Sequence, residues 1–382
     1  MTIAQEAYRG DEALAGLLKK SGYMADLSQI RRILAGVVAA PEGEHPEDWI
    51  GLVAPGADAA CRRQLQALRQ EVRSSPKPAA LQPGSLRLAA LRKELARRSL
   101  AGFLVPRADE HQGEYVPPRA ERLAWLTGFA GSAGIAVVLA ERAAIFVDGR
   151  YTLQARDQVD TTLFEAQHVT DQPPDAWIAQ HLPKGGRLGY DPWLHTPEGL
   201  KRIAQAAAKA GGELVPVEGN PLDAVWADQP PPPLAPVIAL DLKFAGRGSE
   251  EKRETIAKTL AGDGLDAALL TTPDSICWLL NIRGADVPRT PFALGFAVLH
   301  RDGAVELFMD RRKFTAGLEA HLGNRVSVEA PEGFGLALDR LGAKAARVLV
   351  DPQSAPCSRH NPSGNGSCRR CRAGRSPALE PR

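Results

Sequence analysis

The same order of features occurs twice along this chain. Glu250 to Leu260 reads as a helix, Ala267-Ala-Leu-Leu270 as a buried strand and Pro273-Asp274 as a turn, followed by Trp278-Leu279-Leu280. Upstream, Leu86, Leu88, Leu91 and Leu95 mark one helical face, Gly102-Phe103-Leu104-Val105 is a short strand ending at Pro106, and Trp125-Leu126-Thr127 takes the place of the later Trp-Leu-Leu. Phe146-Val147-Asp148-Gly149-Arg150 and Phe308-Met309-Asp310-Arg311-Arg312 form a further matched pair. Helical periodicity alternating with short apolar runs, among them Ile135 to Leu139 and Ala143 to Val147, predicts an α/β layer structure. The repeat is too long for a solenoid. The expected architecture is therefore two tandem, related α/β domains with mixed sheets, whose shared residues serve the fold first; Trp125 and Trp278 read as core residues.

Composition breaks set the boundaries. Residues 1 to 73 carry helical spacing in Leu14, Leu17, Leu18, then Leu27, Ile30, Leu34, Val37, and later Leu65, Leu68, Val72, with Asp11 and Asp58 as N-cap or first-turn residues. This predicts a helical extension. Residues 74–84, rich in Pro and poor in large apolar side chains, read as a linker. Residues 85–228 hold the first α/β domain, 229–236 a Pro-rich linker, and 237–355 the second domain. A net charge of +2 with evenly mixed charges gives no electrostatic pull toward nucleic acid or membrane outside the C-terminal tail. The first residues lack a basic n-region and an apolar h-region, and no apolar run approaches membrane-spanning length, so a cytoplasmic location is expected. Cys61 and Cys277 do not suggest a disulfide framework.

After Pro356 the chain changes character. Residues 357–382 are mostly Arg, Ser, Gly, Cys, Pro and Asn. Such a segment cannot bury an apolar core and is expected to be disordered; its composition also matches a GC-rich gene read in a shifted frame. The alternative is a zinc site made by Cys357, His360, Cys368 and Cys371, with the nearby arginines on nucleic-acid phosphates, although the spacing differs from a zinc knuckle and no aromatic residue is present to stack on a base.

Three polar words stand out in the folded part. Gly128, Gly131 and Gly134 around Ser132 suit a tight connection that needs positive φ or close backbone approach. Asp148 is placed to pin the turn after a buried strand, with Arg150 paired to a carboxylate. Asp109-Glu110-His111 resembles a catalytic or metal cluster in composition, but three consecutive residues point in different directions and cannot alone converge on one ion.

Asp109-Glu110-His111-Gln112-Gly113-Glu114-Tyr115, Thr127 to Gly134 and Val147-Asp148-Gly149-Arg150-Tyr151 resemble the N-terminal domain of cytosolic-type aminopeptidase P. Gly189-Tyr190-Asp191-Pro192, Asn220 to Trp226 and Asn281 to Val287 continue the resemblance in the order used by its three-domain members, over residues 85 to 355. The resemblance implies two creatinase N-terminal-type domains. It implies a family that removes an N-terminal residue preceding proline by two-metal hydrolysis, usually with manganese, through ligands in a C-terminal pita-bread domain. None of that domain's motifs occurs in this sequence. No catalytic or metal-binding residue is therefore assigned, and the chain is expected to be inactive by itself. By the same resemblance Asp109, Glu110, His111, Arg150, Tyr151, Arg283 and Asp286 are candidates for substrate access or for an interface, with Arg283 to Asp286 taken as the second-copy analogue of the Asp109 loop. Expected partners are a second copy of the chain or an intact homologue. A stand-alone peptide-binding or homologue-docking protein is the alternative.

Overall fold

The computed structural model describes residues 8–21, 30, 31, 34, 48–54, 56–74 and 84–357, which fall in two compact units, residues 1–82 and 83–382. In the first unit, α1 (Asp11–Lys20), α2 (Asp48–Val53) and α3 (Ala59–Ser74) enclose a core of Leu14, Leu18, Ile30, Leu34, Trp49, Ile50, Leu65 and Leu68. Asp58 starts α3 by accepting the Cys61 N–H at 2.7 Å, the capping role expected of it. Leu27, Val37 and the linker residues 75–83 lie outside the described residues.

The second unit holds the duplicated fold. α4 (Gly84–Arg97) buries Leu88, Leu91 and Leu95. Leu86 is 56% exposed, so it stands off the stripe on which the spacing placed it. Next come β1 (Gly102–Pro106), α5 (Arg122–Thr127), β2 (Gly134–Leu139), β3 (Ala143–Val147), α6 (Thr152–Gln158), β4 (Glu165–His168), α7 (Pro174–His181), β5 (Arg187–Tyr190), α8 (Pro197–Lys209) and β6 (Glu213–Pro216). The sheet order is β4-β3-β2-β1-β5-β6, antiparallel at β1/β2 and β2/β3 and parallel elsewhere. Alternation along the strands sends Phe103, Val105, Ile145 and Val147 to the α4/α5 face and Leu104, Val137 and Phe146 to the α7/α8 face, so both faces are dry.

Beyond the Pro-rich segment, β7 (Ile238–Ala239) forms a ribbon with β9 (Ile282–Arg283), flanked by α9 (Leu242–Ala245). α10 (Ser249–Gly262), β8 (Ala267–Leu270), α11 (Pro273–Leu280), β10 (Phe296–His300), β11 (Val305–Phe308), α12 (Leu318–Leu322), β12 (Val326–Glu329), α13 (Gly333–Ala343) and β13 (Val348–Leu349) repeat the first fold. The order β12-β11-β10-β8-β13 keeps each pairing sense of its counterpart. Side chains repeat as well. The Arg87 guanidinium lies over the Trp125 ring at 5.5 Å and donates to the Trp125 carbonyl; Lys252 Nζ lies over Trp278 at 4.5 Å and donates to its carbonyl at 2.9 Å. Each aromatic is held by a cation from the preceding long helix, and Trp125 also stacks on Trp226 at 5.2 Å. Trp125 is buried as expected, whereas Trp278 is only partly so. No helix among the described residues is long and apolar enough to cross a membrane.

Candidate functional site

The loop between β1 and α5 carries Asp109, Glu110 and His111, and each side chain has a separate task. Asp109 is 1% exposed, and its Oδ1 accepts the N–H groups of His111 and Gly113, each at 3.0 Å, which folds the loop back on itself. A Cβ at Gly113 would lie 2.9 Å from the Tyr115 carbonyl, so this reversal requires glycine. Glu110 points to Arg122 at 3.5 Å. His111 crosses to the second copy: its Nδ1 lies 3.1 Å from the Thr271 carbonyl, which can only accept, and its ring stacks on Phe296 at 4.5 Å. Within the chain, therefore, this loop is a strut between the two copies.

A buried polar network adjoins the strut, and residue spacing alone does not reveal it. Arg122 on α5, 4% exposed, grips Asp223 with Nε at 2.7 Å and Nη2 at 2.9 Å. Burial acts to lower the basicity of Arg122, but its hydrogen bonds to the Asp223 carboxylate and the charges of Glu110 and Asp223 outweigh it and hold the guanidinium above its ordinary value. Asp191, just past β5, accepts the Trp193 N–H at Oδ1 and the Asn220 amide at Oδ2, both at 3.0 Å, and burial pushes its carboxyl above the usual range. Asn220 in turn accepts the Leu222 N–H at 2.9 Å. The words Gly189 to Pro192 and Asn220 to Trp226 thus meet in space. Nearby, His195 is 8% exposed, and burial drives its imidazole down to about 4.

The remaining candidates are absorbed locally. Gly128 ends α5 in the left-handed region at φ 83°, and a Cβ at Gly131 would lie 2.2 Å from the Phe129 ring, so positive φ and close approach are both present. In the second copy Asn281 fills the Gly128 position at φ 50°, asparagine being tolerated in that region. Arg150 pairs with Asp148 at 2.6 Å while Asp148 Oδ1 accepts the Arg150 N–H at 2.9 Å; Arg312 and Asp310 repeat this at 2.6 and 2.9 Å. Tyr151 shares a 2.8 Å hydrogen bond with Ser132. Arg283 donates to the carbonyls of Ile282 and Cys277 at 2.8 and 3.3 Å. Asp286 has a fully buried side chain that meets Lys313 Nζ at 2.6 Å. The structure also corrects a correspondence. Arg283 to Asp286 lies between α11 and β10, so it matches the Gly128 to Ala133 connection, while the Asp109 loop between β1 and α5 has only Thr271 and Thr272 as its counterpart.

Among the described residues no cluster of three or more His, Cys, Asp and Glu side chains could hold a metal ion. Cys357 is partly buried, and burial pushes its thiol up to about 11. His360, Cys368 and Cys371 lie outside the described residues. A cleft of about 590 Å³ in the second copy, lined by Gly248, Arg253, Asn281, His321 and Arg325, includes none of the candidate residues.

A sheet with two antiparallel pairings at its centre flanked by parallel ones, three in the first copy and two among the described residues of the second, occurs twice in tandem and defines the class. The Creatinase/Prolidase N-terminal domain matches residues 87–225 and again residues 228–382, and the chain belongs to that family. Its relatives are aminopeptidases of the P type, and its two domains are aminopeptidase P family N-terminal domains. It is 34% identical over 257 residues to Aminopeptidase P2 of Arabidopsis thaliana, covering 66% of this chain and 36% of that protein. It is 35% identical over 265 residues to a probable Xaa-Pro aminopeptidase P of Coccidioides posadasii, covering 69% and 43%. The crystal structure of X-prolyl aminopeptidase from Caenorhabditis elegans, described as a cytosolic enzyme with a di-nuclear active site, superposes with a TM-score of 0.66 at 28% identity, over 72% of this chain and 48% of that one. The chain thus spans well under half the length of these curated relatives.

Proposed function

We propose that this chain is a non-catalytic N-terminal module of an Xaa-Pro aminopeptidase, whose work is to shape substrate access to a di-metal centre carried elsewhere and to support contacts between subunits. The observation that carries the reading is the tandem pair of family domains aligned with a fraction of relatives named as Xaa-Pro aminopeptidases. The polar signature residues fit a scaffold. Asp109, Asp148 and Asp310 fold turns, and His111 and Asp286 brace packed segments. The described residues do not fit a metal centre, so no hydrolytic step is derived from them. Manganese, in this reading, belongs to the catalytic domain of the full-length enzyme, and the module works in the cytoplasm as part of a dimer or docked on an intact homologue.

The test is an assay of the purified chain, with and without Mn²⁺, for release of the first residue from an Xaa-Pro peptide, paired with light scattering alone and after mixing with an intact X-prolyl aminopeptidase. No turnover together with a dimer or a mixed complex supports the module. Metal-dependent turnover that co-elutes with the chain overturns its non-catalytic character.

A further inference from the structure

The duplicated fold supplies its own control for one buried charge. α4 and α10 are each 14 residues long, and each places a cation on the tryptophan of a following helix, which aligns Arg87 with Lys252, Leu91 with Ile256 and Leu95 with Leu260. Arg253 then falls opposite Leu88. Leu88 is buried in an apolar core, whereas Arg253 is 6% exposed and carries a charge into the equivalent place. Bracing of the adjacent hairpin does not require an arginine there. Arg253 Nη1 donates to the Gly303 carbonyl at 2.8 Å, but in the first copy Arg92, one turn further along α4, does that work by donating to the Leu139 carbonyl at 3.0 Å.

Arg253 is short of counter-charge. Among the described residues its Nε is buried with no hydrogen-bond partner and its guanidinium makes no ion pair, an arrangement rare for a buried arginine. Burial holds it below its ordinary basicity, opposed by the charge of Glu250 and reinforced by that of Arg325. Arg325 is fixed on the same turn, donating to the Asp302 carbonyl and lying 3.6 Å from the Asp302 carboxylate. Both arginines line the cleft of about 590 Å³, together with Gly248, Ser249 and Glu250 at the start of α10. Gly248 gives α10 no capping side chain, and the first intrahelical bond runs from the Lys252 N–H to the Gly248 carbonyl, so the N–H groups of Ser249, Glu250 and Glu251 have no acceptor among the described residues. Helical side chains tilt toward the N-terminus, which carries the Arg253 guanidinium to this end of α10. Of the two carboxylates in the cleft, Asp241 accepts the Lys243 N–H at 2.9 Å and Glu250 makes no hydrogen bond.

We propose that this cleft is an oxyanion site, in which Arg253 and Arg325 take a phosphate or carboxylate group of a small molecule and the first N–H groups of α10 complete its hydrogen bonds. The volume is that of a small-molecule cleft. The site belongs to the second copy alone, because Leu88 removes the arginine from the first. The proposal does not depend on whether the module is catalytic.

Titration of the full chain with inorganic phosphate and with acetate tests it, followed by calorimetry and by the nuclear magnetic resonance signals of the Arg253 Nε–H and the Ser249 to Glu251 amides. At least one anion should saturate with a Kd of about 1 mM or below, and the one that binds more tightly identifies the group. Sodium chloride at matched ionic strength should leave the signals in place. Arg253→Leu, which gives the second copy the first copy's side chain, should weaken binding about tenfold or more. Arg325→Gln, which keeps the Gly303 hydrogen bond and the fold, should weaken it about threefold. Four results would each overturn the proposal: no saturation by either anion, the same shifts with chloride, full affinity in Arg325→Gln, or binding that appears only after Glu250→Gln, which would make Glu250 the counter-ion of Arg253.

Discussion

Replacing Lys313 with methionine separates a structural role for Asp286 from a role in substrate access. The Asp286 carboxylate is fully buried, and besides Lys313 Nζ at 2.6 Å it accepts the Leu294 N–H at 2.7 Å and the Ala235 N–H at 3.2 Å. Lys313, with a side chain 6% exposed, also donates to the Leu294 carbonyl at 3.0 Å. The pair therefore ties together the end of the Pro-rich segment, the connection before β10 and the turn after β11. Methionine fills the volume of the lysine stem but leaves a buried carboxylate without its counter-charge, a change that costs about 3–5 kcal/mol. At about 1.4 kcal/mol per tenfold, amide exchange in β10 should accelerate on the order of a hundred- to several-thousand-fold, while β1 and β2 are unaffected. Asp286→Asn in the same background removes the orphaned charge and should restore part of the loss, so a double-mutant cycle reads the pair directly. If Lys313→Met shifts β10 exchange less than about fivefold, roughly 1 kcal/mol, the ion pair does not hold the second copy together and the reasoning fails.

Gly128→Ala places a side chain at φ 83° with its Cβ 2.7 Å from the Gln158 carbonyl; a loss of about 2 kcal/mol or more is expected in first-copy stability, read by urea unfolding. His195 has a folded value of about 4 against 6.5 when unfolded, because burial disfavours its charged form. Between those values the unfolded state binds more protons, so stability falls as pH drops from 6.5 to 4, by up to roughly 3 kcal/mol. Asp191, raised by burial, acts in the opposite sense at the acid end. His195→Phe should flatten the slope, and an unchanged pH profile would refute burial as the cause. His111→Ala removes the Thr271 hydrogen bond and the Phe296 stack; a loss of about 1–3 kcal/mol should appear as faster proteolysis in residues 229–236, with the elements inside each copy as protected as before.

The duplication, the strands after α4 and α10, the Gly128 cap and the Asp148 and Asp310 turns all rest on contacts within a few residues. Spacing and residue type determine them, which makes them legible in the sequence. The short strands β4, β6, β12 and β13 are not: β8 is equally short but is an unbroken apolar run, whereas β4, β6 and β12 are broken by polar residues or proline and β13 has only two residues. Leu86 is misplaced by its spacing for a related reason: at a helix start, one leucine fits either edge of the stripe. The polar site lies beyond the reach of local pattern altogether. His111 meets Thr271 across 160 residues, Arg122 meets Asp223 across 101, and Lys313 meets Asp286 across 27. Local sequence determined which residues carry charge and where the chain turns. Whether a carboxylate folds its own loop, as Asp109 does, or locks a distant cation, as Asp223 does, was decided by the sheet order, because only the packed fold removes the water that would otherwise satisfy each group.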